Sequence, residues 1–357
     1  MSPGPANLLA YCRAGFEKEC AQELTALAAD SGVGGFVKAR PDSAFATFHP
    51  HDTPSAAALA RRVDAAALVF PRQVVRCGAM LADLPVGDRV SPIVAEAARL
   101  GSSFRELFIE TPDTNDGKAL AALARPLEPH LRRGLLRAGV ALDVAAAPER
   151  LHVFFVGGTA CHVGLSRVAS SSSWPMGIPR LRMPGGAPSR STLKLAEAIS
   201  VFVGDEEAGK RLRAGMTAVD LGASPGGWTW QLVRRGLMVA AVDNGPMDPA
   251  LLETGQVKHR REDGFRFRPP EPVDWMVCDM VESPSRVCAL AARWVAEGWC
   301  REAIFNLKLP MKKRWEEVGR AREIVAQALA GRPHRFRLKH LYHDREEVTA
   351  WLASGAR

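Results

Sequence analysis

The chain has 357 residues, of which 47% are hydrophobic and 24% are charged, and its formal net charge is +8 at pH 7. This length allows two or three domains, and the composition is that of a globular protein rather than a disordered one. No hydrophobic run is long enough to cross a bilayer, and no charged leader followed by an apolar stretch indicates a secretory signal. We therefore expect a cytoplasmic protein without a membrane anchor.

The cysteines and the net charge bear on the cellular compartment of the protein and on its binding partner. Seven cysteines are an odd number, and no two of them have C-x-x-C spacing. This pattern predicts neither a disulfide framework nor a metal site, and it fits a reducing compartment. The excess of basic residues favours a nucleic-acid partner only slightly over a merely basic enzyme, because phosphate neutralisation supplies most non-specific nucleic-acid affinity.

The first 165 residues alternate helical and strand-like patterns. Cys12–Ala29 and Gly117–Gly139 have helical spacing, and the second of them carries four arginines. The strand-like runs are Leu68–Val75, Leu107–Glu110, Leu151–Val156 and Ala160–Leu165. This half is predicted to be α+β, with mixed sheets and basic helices.

Residues 166–190 form the clearest boundary in the sequence. The segment holds four prolines, three glycines and four arginines, and it contains no acidic residue. Proline fixes φ and removes a backbone donor, so neither a regular helix nor a central strand is expected here. We interpret the segment as a basic linker, whose arginines are explained equally well by contact with RNA and by plain solubility.

After the linker, short apolar runs alternate with helical stretches. The runs are Thr217–Leu221, Met238–Val242, Trp275–Cys278 and Ala303–Leu307. This alternation predicts a mostly parallel, doubly wound α/β sheet, and in such sheets a ligand binds at the carboxyl ends of the strands. Each of the four runs ends next to a notable polar residue, so these residues are expected to converge on one site.

The first run continues into a glycine-rich turn, Asp220-Leu-Gly-Ala-Ser-Pro-Gly-Gly-Trp228. Its G-x-x-x-G-G spacing is neither the dinucleotide fingerprint nor a phosphate loop, and a plain tight turn explains it about as often. Asp243 ends the second run, where a carboxylate can accept ribose hydroxyls. Asp263 follows the third strand region and could face an adenine amino group. Such an acidic lining suits S-adenosylmethionine, which has a sulfonium cation and no phosphates, better than NAD.

Four charged residues lie at matching ends of the predicted elements. Asp279 and Lys308 follow two apolar runs, Lys194 is near the start of a helix, and Glu347 is near the start of the last strand. Each alone is more often a solvated surface charge. Together they predict a Lys–Asp–Lys–Glu cluster beside a nucleoside pocket.

Several sequence blocks carry a resemblance to a known family. The blocks are Ser191–Leu195, Asp220–Thr229, Cys278–Glu282, Asn306–Arg314 and Tyr342–Thr349. With Cys12–Cys20 and Met176–Arg180, they make nearly the whole chain resemble the bacterial ribosomal RNA large subunit methyltransferase M family. The resemblance implies S-adenosylmethionine-dependent methylation of a cytidine 2′-oxygen in the peptidyl-transferase region of 23S ribosomal RNA.

The resemblance also implies a domain order. A ferredoxin-like subdomain is expected at residues 1–75 and a THUMP-like RNA-binding subdomain at 76–165. The linker at 166–190 and a Rossmann-like methyltransferase domain at 191–357 would follow. The implied partner is 23S ribosomal RNA, naked or in early assembly, bound by a monomer without a membrane or a metal.

Site residues are likewise implied by the resemblance. Lys308 matches the proton acceptor, and Lys194, Asp279 and Glu347 complete the tetrad. The residues matching the cofactor contacts are Ser191, Ser224, Pro225, Gly226, Gly227, Asp243, Asp263 and Asp279. There are two departures: Ser224 stands where a cysteine is expected, and the chain ends soon after Glu347, which leaves the pairing of the last strand open.

A proton acceptor must be neutral, and a free lysine has a pKa of about 10.4. Asp279 and Glu347 are expected to raise the pKa of Lys308, whereas Lys194 and the sulfonium are expected to lower it. We expect the net result to lie below the pKa of a free lysine.

Three other functions can be compared with the sequence. A base-amine methyltransferase would show Asn/Asp-Pro-Pro-aromatic where this chain reads Asp279-Met-Val-Glu282. A carbon-5 pyrimidine methyltransferase needs a cysteine, usually after proline, and neither Cys278 nor Cys300 follows one. A non-catalytic RNA-binding or ribosome-assembly factor that keeps the fold is the remaining alternative.

Overall fold

A computed structural model describes residues 7–355 of the chain. They divide into two compact units, the first ending at Pro179 and the second beginning at Arg180. The outer limits of the predicted domains, Met1 and Arg357, lie outside the described residues.

The first unit contains five α-helices and seven strands among its described residues. They are β1 (Asn7–Tyr11), α1 (Glu17–Asp30), β2 (Gly35–Ala39), β3 (Phe45–Pro50), α2 (Thr53–Arg62), β4 (Gln73–Cys77), α3 (Val90–Leu100), β5 (Leu107–Glu110), α4 (Asn115–Ala124), α5 (Glu128–Arg137), β6 (Glu149–Gly157) and β7 (Ala160–Arg167). The strands form one sheet in the order β2-β3-β1-β4-β7-β6-β5. Only β5 and β6 pair in parallel, so the predicted mixed α+β architecture is confirmed.

Two predicted helices of this unit differ from the observed ones. The helix predicted at Cys12–Ala29 begins only at Glu17, because β1 extends to Tyr11 and the chain then turns at Gly15, whose φ is +84°. The helix predicted at Gly117–Gly139 is broken into α4, a short 3-10 turn and α5. Proline lies at the start of both the turn and α5, where its missing N–H is tolerated but prevents one continuous helix.

The strand predicted at Leu68–Val75 is also displaced, since β4 covers Gln73–Cys77. Val69 and Phe70 are fully buried outside any strand. Their backbone N–H groups donate to the buried Glu23 carboxylate at 2.8 and 2.9 Å. A side-chain acceptor therefore replaces the strand partner that an apolar run would otherwise need.

The second unit contains six α-helices and seven strands among its described residues. They are α6 (Thr192–Ala198), α7 (Asp205–Arg211), β8 (Thr217–Leu221), α8 (Gly227–Val233), β9 (Met238–Val242), α9 (Pro249–Glu253), β10 (Val257–Arg260), β11 (Val273–Cys278), α10 (Pro284–Ala296), β12 (Cys300–Lys308), α11 (Arg314–Ala328), β13 (His334–Lys339) and β14 (Glu347–Ser354). Their sheet has the order β10-β9-β8-β11-β12-β14-β13.

This sheet confirms the predicted doubly wound fold. Strands β8 to β12 are mutually parallel, and β14 runs antiparallel between β12 and β13. Buried aliphatic and aromatic side chains pack between the sheet and α6, α7 and α8, with Trp275 and Trp351 among them. The predicted strands at Trp275–Cys278 and Ala303–Leu307 are longer than expected, beginning at Val273 and Cys300.

The pairing of the last strand, which the sequence left open, follows from its register. Lys308 lies opposite Glu347, and the pairing continues to Glu302 opposite Ala353. Because β14 is antiparallel, its first residue lies at the carboxyl end of β12. Glu347 therefore lies at the edge of the sheet where a ligand is expected.

Two further features concern the whole described chain. Within residues 7–355, no helix combines the length and hydropathy that crossing a membrane requires. All seven cysteines are buried as free thiols.

Candidate active site

Four charged side chains meet at the carboxyl edge of the second sheet. Lys308 Nζ donates to Asp279 Oδ1 at 2.7 Å and to Glu347 Oε2 at 3.2 Å. Lys194 Nζ lies 3.6 Å from Asp279 Oδ2 and pairs closely with Glu347 Oε1. Each lysine thus bridges both carboxylates, and the predicted cluster has the geometry of a closed ring of alternating charge.

The pKa of Lys308 is the result of opposing effects. Burial lowers it, but the charge and hydrogen bond of Asp279, followed by those of Glu347, raise it by more, so the net pKa lies above that of an ordinary lysine. The expected pKa below that of a free lysine included the effect of the sulfonium, so it stays a prediction for the chain with bound cofactor. The two carboxylates hold Lys308 as an ammonium group.

Behind the ring, three buried side chains fix the orientation of Asp279. Asn306 Nδ2 donates to Asp279 Oδ1 at 2.9 Å, and the Thr349 hydroxyl donates to Asn306 Oδ1 at 2.7 Å. The same hydroxyl lies 3.0 Å from both carboxyl oxygens of Asp344. Burial, and then the charge of Glu347, raise the pKa of Asp344 well above its usual range.

The direction of the hydrogen bonds from Asp344 through Thr349 to Asn306 follows from counting protons. A threonine hydroxyl has one hydrogen, so Thr349 can donate to only one of its neighbours. Since its raised pKa favours the protonated form, Asp344 can donate to Thr349, which leaves the threonine hydrogen for Asn306. The amide of Asn306 is then oriented with its NH₂ group toward Asp279. This role of Asn306 was not predicted from the sequence, although a lone Asn inside the apolar run of β12 indicates a buried hydrogen bond.

A second buried carboxylate holds the two chain segments that supply Lys194 and Glu347. Glu197, one turn after Lys194 on α6, accepts hydrogen bonds from the backbone N–H groups of Tyr342 and His343 at 2.8 and 2.9 Å. These two residues precede β14, which begins at Glu347. Glu197 therefore fixes the distance between helix and strand, and the sequence analysis missed it as well.

The glycine-rich turn lies at the end of β8. Gly222 and Gly226 have φ values of +78° and +118°, which side chains rarely adopt. A Cβ atom on Gly222 would lie 2.6 Å from Met280, and one on Gly227 would lie 2.3 Å from the Ser191 hydroxyl. The backbone is thus close to its neighbours at Gly222 and Gly227, and the Ser224–Pro225 peptide bond is cis.

Asp243 lies beside this turn, as predicted from its position after the second strand. Its Oδ2 accepts a hydrogen bond from Ser224 N at 3.0 Å, and its Oδ1 accepts one from Gly245 N at 2.7 Å. Each carboxylate oxygen has a further lone pair for a ligand. The Ser191 hydroxyl, 2.6 Å from that of Ser189, lies on the α6 side of the turn at Gly227.

Asp220 is a second acidic residue of the turn, and the sequence analysis did not include it among the site residues. It is buried, and its Oδ2 accepts a hydrogen bond from the Thr229 hydroxyl at 2.6 Å. Burial raises its pKa to about 7, with a further increase from Asp279, against the lowering effect of Thr229. Its Oδ1 has no hydrogen-bond partner in the described part of the chain. A buried oxygen of this kind suits a ligand donor or cation.

Asp263 is not brought into contact with the tetrad. About half of its side chain is exposed (51%), and it lies 3.6 Å from Arg266 in an ion pair. Its Oδ1 accepts a hydrogen bond from Phe265 N. The next residue, Gly264, packs against Met280, so the Asp263 loop borders the turn at Gly222.

The two cysteines considered as nucleophiles are unsuited to that role. Cys278 and Cys300 are buried in strands β11 and β12. Burial raises the pKa of Cys278 to about 12 and that of Cys300 well above its usual value. Neither thiol forms a thiolate at neutral pH, which argues against carbon-5 pyrimidine chemistry.

The chain is similar to known proteins over nearly its whole length. Residues 6–75 match a family model described as RlmM ferredoxin-like domain. Residues 88–167 match one described as ribosomal RNA large subunit methyltransferase M, N-terminal, and residues 187–313 match FtsJ-like methyltransferase. The chain is 52% identical to the ribosomal RNA large subunit methyltransferase M of Methylococcus capsulatus, over 98% of each chain.

The chain belongs to the ribosomal RNA large subunit methyltransferase M family. Similar relatives with this name are found in Shewanella frigidimarina (52% identity, 97% of this chain and 96% of the relative) and Aromatoleum aromaticum (50% identity, 98% and 95%). The family resemblance is thereby confirmed. So is a Rossmann-type methyltransferase domain preceded by a ferredoxin-like domain, and the chain is a member of an enzyme family that transfers methyl groups.

Proposed function

We propose that this chain uses S-adenosylmethionine to methylate the 2′-oxygen of a cytidine in the peptidyl-transferase region of 23S ribosomal RNA, acting in the cytoplasm as a monomer. The observation that carries this proposal is the ring of Lys194, Asp279, Lys308 and Glu347 at the carboxyl edge of a methyltransferase sheet. A ribose hydroxyl is a very weak acid, so its methylation needs a positioned basic group.

The residues at the glycine-rich turn fit the proposed cofactor. Three carboxylates, Asp220, Asp243 and Asp279, face or border the turn, and Asp220 has a buried oxygen without a protein partner. Such a lining attracts a sulfonium cation and repels a pyrophosphate. Asp243 would hold the ribose hydroxyls, and the closely packed glycines would let the nucleoside approach the backbone. Ser191, Ser224, Pro225, Gly226 and Gly227 complete this proposed contact set, whereas Asp263 lies at its border.

When bound, S-adenosylmethionine supplies the methyl group, which bonds to the 2′-oxygen as the carbon–sulfur bond breaks. Lys308 would accept the hydroxyl proton at Nζ, for which it must first be neutral. Asp279 and Glu347 favour the ammonium form of Lys308. A neighbouring positive charge must therefore shift the equilibrium toward neutral lysine before the methyl group is transferred. Asn306 and Lys194 would hold the carboxylates still while Lys308 changes charge.

The first unit would bind the RNA through the ferredoxin-like subdomain at residues 1–75 and the THUMP-like subdomain at 76–165, with the linker at 166–190. Support comes from a groove of about 880 Å³ between α3 and α5, bordered by Arg89, His130, Arg133 and Arg137. Arg132, also on α5, is instead neutralised by Glu128 and Asp143 at 2.9 and 3.0 Å. Arg132 is therefore not among the proposed RNA contacts.

The test is to map 2′-O-methylation in ribosomal RNA from cells with and without the gene, and to repeat the reaction with purified chain. Lys308→Ala should abolish methylation while cofactor affinity stays nearly unchanged. Lys308→Arg keeps a cation that does not lose its proton, so it should be as inactive as alanine if Lys308 is the base. Retained activity of the arginine variant, with a rate independent of pH, would leave only a positioning role. A non-catalytic assembly factor would bind RNA and give no methylation at all.

A further inference from the structure

Two hydrophobic side chains beside the tetrad are almost completely exposed. Val281 and Met311 are each 90% exposed, whereas no other large hydrophobic residue in the described chain exceeds the 74% of Leu136. Val281 comes two positions after Asp279, and Met311 comes three after Lys308. Since β11 and β12 are parallel neighbours, the loops carrying these two side chains begin at the same edge of the sheet.

Both loops are fixed at their bases. Met280 packs against the backbone of Gly222 and Gly264 and so anchors the loop of Val281. Leu309 is buried, and its N–H donates to Glu346 O at 2.7 Å, which anchors the loop of Met311. The two exposed side chains therefore project from loops whose bases are anchored. Their exposure is thus a fixed feature of this edge of the sheet, as expected for an interaction site.

The charges around the two tips favour a polyanion. Lys312 and Lys313, next to Met311, are exposed and have no ion-pair partner among residues 7–355. The acidic Glu282, next to Val281, is paired with Arg286. The rim of the site thus combines two free ammonium groups with two apolar tips, the combination that contacts the phosphates and bases of RNA.

We propose that Val281 and Met311 form an apolar clamp that replaces the stacking neighbours of the target nucleotide, while Lys312 and Lys313 bind adjacent phosphates. This inference rests on the proposed function. Lys308 is more than three-quarters covered at the edge of the sheet, so a nucleotide drawn out of its stack can bring its 2′-hydroxyl to Nζ more easily than one held within a rigid helix. Apolar side chains, methionine among them, are suited to filling the gap that an unstacked base leaves.

The experiment uses a folded 23S ribosomal RNA fragment with 2-aminopurine next to the methylated cytidine, and full-length chain with S-adenosylhomocysteine. Binding of the wild type should increase 2-aminopurine fluorescence, because unstacking removes its quenching. The V281S and M311S double variant should lose at least four-fifths of this increase. Its single-turnover rate should fall at least tenfold on the folded fragment and less than threefold on an unstructured oligonucleotide of the same sequence.

The controls separate a clamp from a general loss of stability or affinity. Met311→Leu keeps an apolar tip and should behave like wild type. Met238→Ser also removes an exposed methionine (48%), but at the amino end of β9, and should change neither readout. Replacing Lys312 and Lys313 with Gln should lower the slope of log affinity against log salt by about 1.4, as expected for two single-strand phosphates.

Two failures can be told apart. If the wild type methylates neither RNA, the proposed function is wrong, and the proposed clamp is refuted together with it. If the wild type is active and the double variant matches it in fluorescence and in rate on the folded fragment, the clamp alone is refuted.

Discussion

The buried Asp220 gives the most quantitative prediction. Its pKa is about 7 in the folded chain against an ordinary value of 3.8. A carboxyl whose pKa is raised by folding stabilises the fold while it is protonated in the native state, and this stabilisation is lost as pH rises through the folded pKa. Asp220→Asn keeps the size of the side chain and removes the titration.

The magnitude follows from the two pKa values. A difference of about 3 units corresponds to about 4 kcal/mol over the whole titration. About 2.7 kcal/mol of this change falls between pH 5 and pH 8, because the unfolded carboxyl is already ionised at pH 5. The free energy of unfolding of D220N, relative to wild type, should therefore increase by about 2.7 kcal/mol over that interval.

Urea denaturation followed by tryptophan fluorescence is the appropriate assay. Seven of the eight tryptophans lie after residue 180, so the signal reports on the unit that contains Asp220. Thr229→Val is the matched control, because it removes the hydrogen bond that lowers the pKa of Asp220. It should shift the pH at which stability is lost upward rather than abolish the dependence.

Parallel pH profiles of wild type and D220N, within about 0.5 kcal/mol, would refute the argument, since that difference is well below the expected change. A direct loss of cofactor affinity in D220N, at a pH where the wild-type carboxyl is ionised, would connect the buried oxygen to the ligand. Calorimetry at pH 8 measures this second effect independently of stability.

Three further predictions concern the rest of the site and the RNA. Thr349→Val should lower the single-turnover rate without changing cofactor affinity, and Thr349→Ser should restore the rate, because only the hydroxyl links Asp344 to the amide that orients Asp279. Asp243→Ala should weaken S-adenosylmethionine by about 1–3 kcal/mol in calorimetry, since partners of the carboxylate are left unpaired. Replacing Arg133 and Arg137 with Gln should reduce RNA affinity and its salt dependence in filter binding, whereas Arg132→Gln, already neutralised, should change neither.

Four strands of the second sheet, β8, β9, β11 and β12, were predictable because most of their residues are buried. Thr217–Leu221 and Met238–Val242 are predicted to the residue, since each is a short, mostly apolar run that is followed directly by a glycine or an aspartate. The helix at Gly117–Gly139 was not, because periodicity continues through Pro126 and Pro129 although the backbone does not.

Site residues on the strands were easier to place than those on loops. Asp279, Lys308 and Glu347 follow or begin strands whose ends meet, so pattern alone brings them together. Asp263 follows β10, an edge strand, after two further loop residues, and the sequence does not reveal where such a loop turns. The roles of Asn306 and Thr349 depend on one hydrogen bond across β12 and β14, which needs the register.

The charge balance of the tetrad constrains how the proposed reaction can begin. Two lysines and two carboxylates cancel, so the ring is stable as it stands and keeps Lys308 protonated. Because Lys308 is protonated in this ring, its surroundings must change before it can act as a base. In this pocket, an added positive charge is the change that lowers the pKa of Lys308. A sulfonium bound at the turn at Asp220 would supply this charge and favour the neutral form of Lys308, which can then accept the proton of the substrate hydroxyl. The single-turnover rate with bound cofactor should accordingly rise with pH until neutral Lys308 predominates.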